Sequence, residues 1–276
     1  MLPVLGLVYL TFRQLWAKKV VLGLFVISSL ILLMVGFALN LEVVDGTLAG
    51  LRLFGQDPGG PLGAIDLAEL VFVVESAVAG LAYWIGILLA LFATAPLAVS
   101  LLTPGHIDLL LSKPISRATL LTGHVLGTWS AVAVLALYLM GGTWLIMSIK
   151  TGIWNYAFLL SIGLVVVMFA VMYSAVLLMS VWTESTALAL IVSYGLIFAS
   201  IVLAAADAIL DQLGMVGSAG FLTLYHVLPN FAEVTGIVSA LSQAEPVGDW
   251  YPLWSALLFG AVAYGLALWW FDRRDF

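Results

Sequence analysis

Charged side chains are scarce in this sequence. Only 9% of its 276 residues are Asp, Glu, Lys or Arg, 64% are hydrophobic, and the mean hydropathy is +1.19. A soluble domain carries about 25% charged residues. So few charges cannot cover the surface of a water-soluble fold of this length, so lipid is the solvent for most of the chain.

Cysteine is absent, which excludes disulfides and thiolate metal sites. The sequence also has no basic run suited to a nucleic-acid partner. The three histidines, at 106, 124 and 226, are predicted on different sides of the membrane, so they are not expected to form one metal centre. No nucleophile–base pair is visible, and we expect no enzymatic activity in this chain.

Six apolar windows are each long enough to cross a bilayer, which takes about 20 residues. None of them contains Asp, Glu, Lys or Arg. The sequence predicts an all-α polytopic membrane protein of one domain, with spans at residues 20–40, 78–102, 125–148, 154–182, 187–206 and 251–271. The first window follows Lys18 and Lys19, and we interpret it as a retained span rather than a cleaved signal, because no small-residue cleavage site follows it.

The nine basic residues orient these spans. With the N-terminus in the cytoplasm, seven are cytoplasmic: Arg13, Lys18, Lys19, Lys113, Arg117, Arg273 and Arg274. Only Arg52 and Lys150 are then outside. This bias follows the positive-inside rule, and an even number of spans places the C-terminus in the cytoplasm as well.

The N-terminal segment 1–19 is predicted to be an amphipathic helix at the inner membrane interface. Apolar side chains recur near helical spacing, with Arg13 beside them. These apolar residues are Leu5, Val8, Tyr9, Phe12 and Trp16.

Two long segments, 41–77 and 207–250, are predicted outside. In the first, Asp66, Glu69 and Glu75 interrupt an apolar stripe, which indicates a short surface helix; a solvated acidic face is favoured over a cation site. In the second, Asn230 and Glu233 form a pattern like a capping box. An apolar helix follows them that is too short to span and that returns toward the membrane, either re-entrant or on the surface.

The loop 103–124 is the one sizeable cytoplasmic loop. Pro104 breaks the second span, Pro114 helps to stop a short helix, and Ser116 is suited to cap the helix that follows. Exposed leucines on this short helix favour a docking surface over insertion into the membrane interface. No P-loop motif occurs in the sequence, so any ATP that drives this protein is hydrolysed by another chain.

Three stretches resemble the permeases of the ABC type-2 exporter family. The loop GHIDLLLSKPISR, residues 105–117, is similar to the family's G-T-I-(E/D)-L-L-L-S-x-P-(I/V)-S-R segment, with His106 in place of the usual Thr. The outer stretch LYHVLPNF, residues 224–231, resembles L-Y-x-L-L-P-N. TFRQLWAKK, residues 11–19, resembles the interfacial helix of the family. The sequence as a whole is similar to the permeases that serve nitrous oxide reductase maturation.

This resemblance implies three groups of functional residues. The coupling helix that meets the ATPase would comprise Ile107, Asp108, Leu109, Leu110, Leu111, Lys113, Pro114 and Arg117. The N-terminal interface would add Phe12, Arg13 and Trp16, and the outer motif Tyr225, Pro229, Asn230 and Glu233.

The resemblance also implies an assembly in the cytoplasmic (inner) membrane of a prokaryote. The chain would pair as a homodimer or heterodimer, contact membrane lipid, and bind two ATP-binding-cassette ATPase subunits. These subunits would hold ATP and Mg²⁺, and this chain would bind no cofactor.

Two alternatives to substrate export stay open. The first is a non-transporting ABC complex that transmits force to an extracytoplasmic protein, as the long outer segments suggest. The second is an ion-coupled secondary transporter, which the absence of ionisable residues from the predicted spans disfavours.

Overall fold

A computed structural model describes residues 2–17, 19–44, 47–53, 66–102, 116–206, 209 and 215–274. Side chains are described for 5–15, 19, 21–37, 66–102, 116–206, 209 and 217–274. Over this part of the chain the elements are α1 (Leu2–Ala17), α2 (Val20–Leu33, continued by a π-helical turn, Met34–Ala38), β1 (Leu39–Val44), β2 (Thr47–Leu53), α3 (Leu67–Leu101), α4 (Arg117–Thr151), α5 (Tyr156–Thr183), α6 (Thr186–Leu203), α7 (Met215–Val227), α8 (Phe231–Ser242) and α9 (Tyr251–Arg273).

The helix α5 is the centre of the bundle. It contacts α3, α4, α6, α8 and α9. In its most apolar 18-residue stretch 67% of the residues are buried, against 22% in α9. Because α5 has no polar face to present to water, it is stable only where lipid or other helices surround it on every side.

The predicted class, a helical polytopic membrane protein, is confirmed. Within the described residues, five helices (α3, α4, α5, α6 and α9) are long and apolar enough to cross a membrane. Each coincides with a predicted span. The apolar helix at Val21–Phe37 is shorter, so a total of six spans stays a prediction.

The helices α3 and α4 extend beyond the predicted spans. Each has 35 residues, or about 52 Å at 1.5 Å per residue, well above the thickness of the hydrocarbon core. The short surface helix predicted before the second span is therefore wrong, since Leu67 begins the same continuous helix. Asp66 caps that helix by accepting a hydrogen bond from the backbone N–H of Leu67 at 2.8 Å.

A two-stranded antiparallel hairpin, β1–β2, follows α2. Its register pairs Leu39 with Leu53 and Val44 with Thr47, with an irregularity between Glu42 and Val43. No strands were predicted here: residues 39 and 40 were expected at the end of the first span and the rest in the outer segment 41–77. β1 does alternate, with Leu39, Leu41 and Val43 separated by Asn40 and Glu42, but the strong turn signals of this segment lie further on, at 57–61.

The N-terminal helix α1 packs against the first half of α4 at two glycines. A Cβ atom on Gly123 would lie 2.7 Å from Leu7 Cδ1, and one on Gly127 would lie 2.7 Å from Thr11 Cβ. Leu7, Thr11 and Leu15 are accordingly buried. The predicted apolar stripe of α1 lies on the other side, where Leu5 and Tyr9 are exposed, as expected for a helix that also meets lipid.

This close approach leads to a stability prediction. Gly127→Ala forces Thr11 and the α1 backbone away from α4, and we expect it to lower the free energy of unfolding by about 1–3 kcal/mol. Denaturant titration of the purified protein in detergent measures the change. Gly163→Ala in α5, where nothing lies within 4 Å of the new Cβ, is the matched control and should not destabilise the protein. Equal effects of the two substitutions would contradict the α1–α4 contact.

Candidate functional site

The predicted coupling helix lies between the end of α3 and the start of α4. Seven of its predicted residues, Ile107, Asp108, Leu109, Leu110, Leu111, Lys113 and Pro114, lie outside the described part of the chain. The structure does describe both flanks of this loop, which are Leu102 on one side and Ser116 with Arg117 on the other.

A helix cap at Ser116 fixes the point where the loop ends and α4 begins; we call this point the loop exit. Ser116 Oγ accepts a hydrogen bond from the backbone N–H of Thr119 at 3.1 Å and lies 2.7 Å from Thr119 Oγ1. The predicted capping role of Ser116 is confirmed. Because the cap sets where α4 begins, a displacement of the loop reaches this helix at its first turn.

Arg117 joins the start of α4 to the end of α9. Its Nη1 donates to the carbonyl oxygens of Phe271 at 3.5 Å and Asp272 at 3.4 Å, and also to that of Arg274. The last carbonyls of a helix have no intrahelical donor and carry partial negative charge. A guanidinium offers several donors in one plane, so one Arg117 side chain can satisfy several of these carbonyls.

Arg274 joins the end of α9 to the end of α5. Its guanidinium donates to the carbonyl oxygen of Val181 and forms an ion pair with Glu184. Glu184 ends α5 in the left-handed conformation, with φ of 52°, in the turn that leads into α6. Three helix ends therefore meet at the arginine-rich face that the sequence assigns to the cytoplasm.

The three residues of the predicted N-terminal interface lie on α1. Phe12 and Arg13 are exposed, so they are accessible to lipid or to a partner. The side chain of Trp16 lies outside the described residues. Since α1 rests on the same half of α4 that begins at Arg117, the N-terminal interface and the loop exit belong to one face of the protein.

The outer motif forms a different arrangement from the predicted capping box. Asn230 makes no side-chain cap bond to α8, and Glu233 Oε2 instead accepts a hydrogen bond from Tyr225 Oη at 2.8 Å. Burial, together with the carboxylate of Glu233, raises the pKa of Tyr225 and keeps this hydroxyl a donor. The capping-box prediction is wrong because α7 places a competing donor beside Glu233, while Asn230 is 2% exposed and buried. Pro229 accepts a hydrogen bond from the backbone N–H of Phe231 at 2.8 Å and so tightens the turn.

The helix α8 is inserted into the bundle. Tyr83 Oη donates to the carbonyl oxygen of Phe231 at 2.6 Å, and the rings of these two residues are 4.6 Å apart. Ser200 Oγ accepts from the backbone N–H of Ala232 at 3.2 Å. The twelve residues of α8 contact α3, α5, α6 and α9, so this helix packs among the others rather than covering them from outside.

A buried polar cluster, which was not predicted from the sequence, holds the C-terminal end of α8. Asn155 Nδ2 donates to Glu75 Oε2 at 2.7 Å and to the carbonyl oxygen of Ser242 at 2.8 Å. Glu75 is fully buried, so its predicted place on a solvated acidic face is wrong. The only signal in the sequence is its apolar surroundings, because Asn155 is 80 positions away along the chain.

Three polar side chains of α3 and α6 are directed into the protein. Thr94 and Ser193 are buried and donate to carbonyls one turn earlier in their own helices, at 2.7 and 2.8 Å. Tyr194 Oη donates to the carbonyl oxygen of Leu88 at 2.9 Å. Thr94 and Ser193 are therefore bonded within their own helices and Tyr194 is bonded to α3, so these three hydroxyls do not line an open path in this conformation.

The outer motif leads to a stability prediction. Phe231→Ala leaves a cavity beside Tyr83, and we expect it to reduce the free energy of unfolding by about 3–5 kcal/mol. Val227→Ala, at the end of α7 and 61% exposed, is the control and should change it little. Denaturant titrations of both variants provide the measurement, and a small loss for Phe231→Ala would show that α8 is not packed as described.

Comparison with known proteins identifies the family. The family model described as ABC-2 family transporter protein matches residues 12–276, nearly the whole chain. No curated protein matches the sequence. The match includes the last part of the N-terminal helix from Phe12 onward, both flanks of the predicted coupling loop and the outer motif, which are the regions where the sequence resemblance lies. The chain is a multi-pass membrane protein that belongs to the ABC-2 family of transporter proteins.

Proposed function

We propose that this chain is the membrane-spanning half of an ATP-driven exporter in the cytoplasmic membrane of a prokaryote. It pairs with a second permease chain and with two separate ATPase subunits that hold ATP and Mg²⁺. The observation that carries this proposal is family membership over residues 12–276 in a chain that has no P-loop of its own.

The mechanism that we propose is mechanical. When the ATPase subunits close on ATP, they push on the coupling loop, which joins α3 to α4. Both helices are 35 residues long, so a tilt imposed at one end reaches the other side of the bilayer. The capped start of α4 at Ser116 gives the loop a stiff point of attachment.

The substrate path that we propose runs between two permease chains, along the outer faces of α3 and α6. The exposed side chains of these faces are apolar, with Leu89 and Phe92 on α3 and Ile191 and Phe198 on α6. Such a surface suits an amphipathic or lipid-like substrate better than a bare ion, which needs polar ligands to replace its water.

A second candidate function is force transmission to an extracytoplasmic protein. The helix α7 favours it, because Leu222, Leu224 and Val227 are exposed there. Stable co-purification of an outer protein, without ATP-dependent substrate flux, would support this function over export.

Docking of the ATPase is tested with Leu110→Asp. A carboxylate among the leucines of the predicted coupling helix would have to be desolvated on docking, so we expect the ATPase subunit to be lost when the permease is purified by affinity tag. Leu224→Asp introduces the same change on the opposite side of the protein and should retain the ATPase. Retention by both variants, with equal yields, would contradict the proposed docking surface.

Orientation is tested by cysteine labelling, since the native chain has no cysteine to give background. We expect Glu245→Cys, in the exposed segment after α8, to react with an impermeant maleimide in intact cells. Ser112→Cys in the coupling loop should react only after lysis. Labelling of Ser112→Cys in intact cells would rule out a cytoplasmic ATPase as its partner.

A further inference from the structure

Two arginines connect the start of α4, where the coupling loop ends, to helices that do not adjoin the loop along the chain. Arg117 is the first residue of α4, and it donates to carbonyls at the end of α9. Contact with the carbonyl oxygens of Phe271, Asp272 and Arg274 constrains a helix end at several points. A movement of the first turn of α4 is therefore opposed unless the end of α9 moves with it.

The connection continues from α9 into the turn between α5 and α6. The backbone of Arg274 accepts from Arg117, while its side chain binds the carbonyl oxygen of Val181 and the carboxylate of Glu184. The left-handed conformation of Glu184 sets the direction in which α6 leaves α5. Arg274 thus holds the one turn that joins the central helix of the bundle to α6.

We propose that Arg117, Arg274 and Glu184 form a relay that conveys displacement of the coupling loop to α9 and to the α5–α6 turn. The inference rests on the proposed function. With the relay, loop movement shifts the inner ends of α4, α9, α5 and α6 together. Without it, the loop acts directly on α3 and α4 alone, and α6 moves only through side-chain packing.

The exposure of the ion pair indicates a positioning role rather than a stabilising one. The Arg274 side chain is 23% exposed and that of Glu184 is 52% exposed. Water and salt screen a pair of this kind, so its contribution to folding is small. The pair can still fix the direction of the α5–α6 turn without contributing much to stability, because the Arg274 guanidinium also binds the carbonyl oxygen of Val181.

The experiment uses the full permease–ATPase complex in lipid nanodiscs, with an environment-sensitive fluorophore on one introduced cysteine. Ser112→Cys reports on the loop. Leu188→Cys, which is exposed in the first turn of α6, reports on the far end of the relay. Emission spectra are recorded before and after ATP and Mg²⁺ are added with vanadate.

In the otherwise native complex we expect both probes to shift. In Arg274→Gln the shift at Leu188→Cys should fall several-fold, while the shift at Ser112→Cys, the bound ATPase and the melting temperature are retained. Arg274→Lys, which keeps the charge but not the planar fork of donors, should restore only part of the Leu188→Cys shift.

Arg273→Gln is the matched control. It removes the same charge from the same helix end, but the Arg273 guanidinium lies over the ring of Trp269, 4.3 Å from its centre, on its own helix. We expect it to leave both shifts unchanged. Arg117→Gln should also reduce the Leu188→Cys shift, since it breaks the relay at the preceding contact.

The outcomes separate the relay from the function on which it rests. If the native complex shows no shift at Ser112→Cys, the loop does not receive work from the ATPase and the proposed function fails. If Ser112→Cys shifts but Leu188→Cys does not, or if its shift survives Arg274→Gln, the relay is overturned and the proposed function stands.

Discussion

Lipid supplies no hydrogen bonds, and this constraint governs the whole structure. In the bilayer core each backbone N–H and C=O must find its partner inside the protein. The long helices α3 to α6 and α9 meet this demand through their own backbone bonds. Side-chain hydroxyls in these helices also find partners inside the protein. Thr143, for example, donates to the carbonyl oxygen of Leu139 at 2.9 Å. The indole N–H of Trp129 donates to the carbonyl oxygen of Val166 in a neighbouring helix at 2.9 Å.

The same constraint makes the helix ends the places where specific polar partners are needed. A helix leaves four donors and four acceptors unpaired at its termini, and these need partners wherever a chain turns. Here Ser116 and Asn155 supply acceptors at helix starts, and Arg117 and Arg274 supply donors at helix ends. These four described side chains lie where helices begin or end, which makes those junctions suitable points for force to enter the bundle.

The two faces of the protein use different chemistry for their junctions. On the arginine-rich face the ion pair between Arg274 and Glu184 is partly exposed, so water and salt screen it. On the opposite face Asn155 and Glu75 are buried among apolar residues, and Tyr83 and Phe231 pack ring against ring. Removing one partner from a buried polar contact is costly. These buried contacts hold both ends of α8 in the bundle.

Hydropathy alone determined that this protein is a helical membrane protein, because burial in lipid demands long uncharged windows. The loop sequence and the outer motif indicated the family that the match over residues 12–276 then showed. Local patterns also predicted the Ser116 cap, since a cap depends on residues only three apart. Only the tertiary structure decided that Glu75 is buried against Asn155, that Glu233 pairs with Tyr225 rather than Asn230, and that Arg117 binds the end of α9. Such contacts arise where helices distant in sequence are brought together by packing, and no local pattern of residues specifies which partner each polar group will meet.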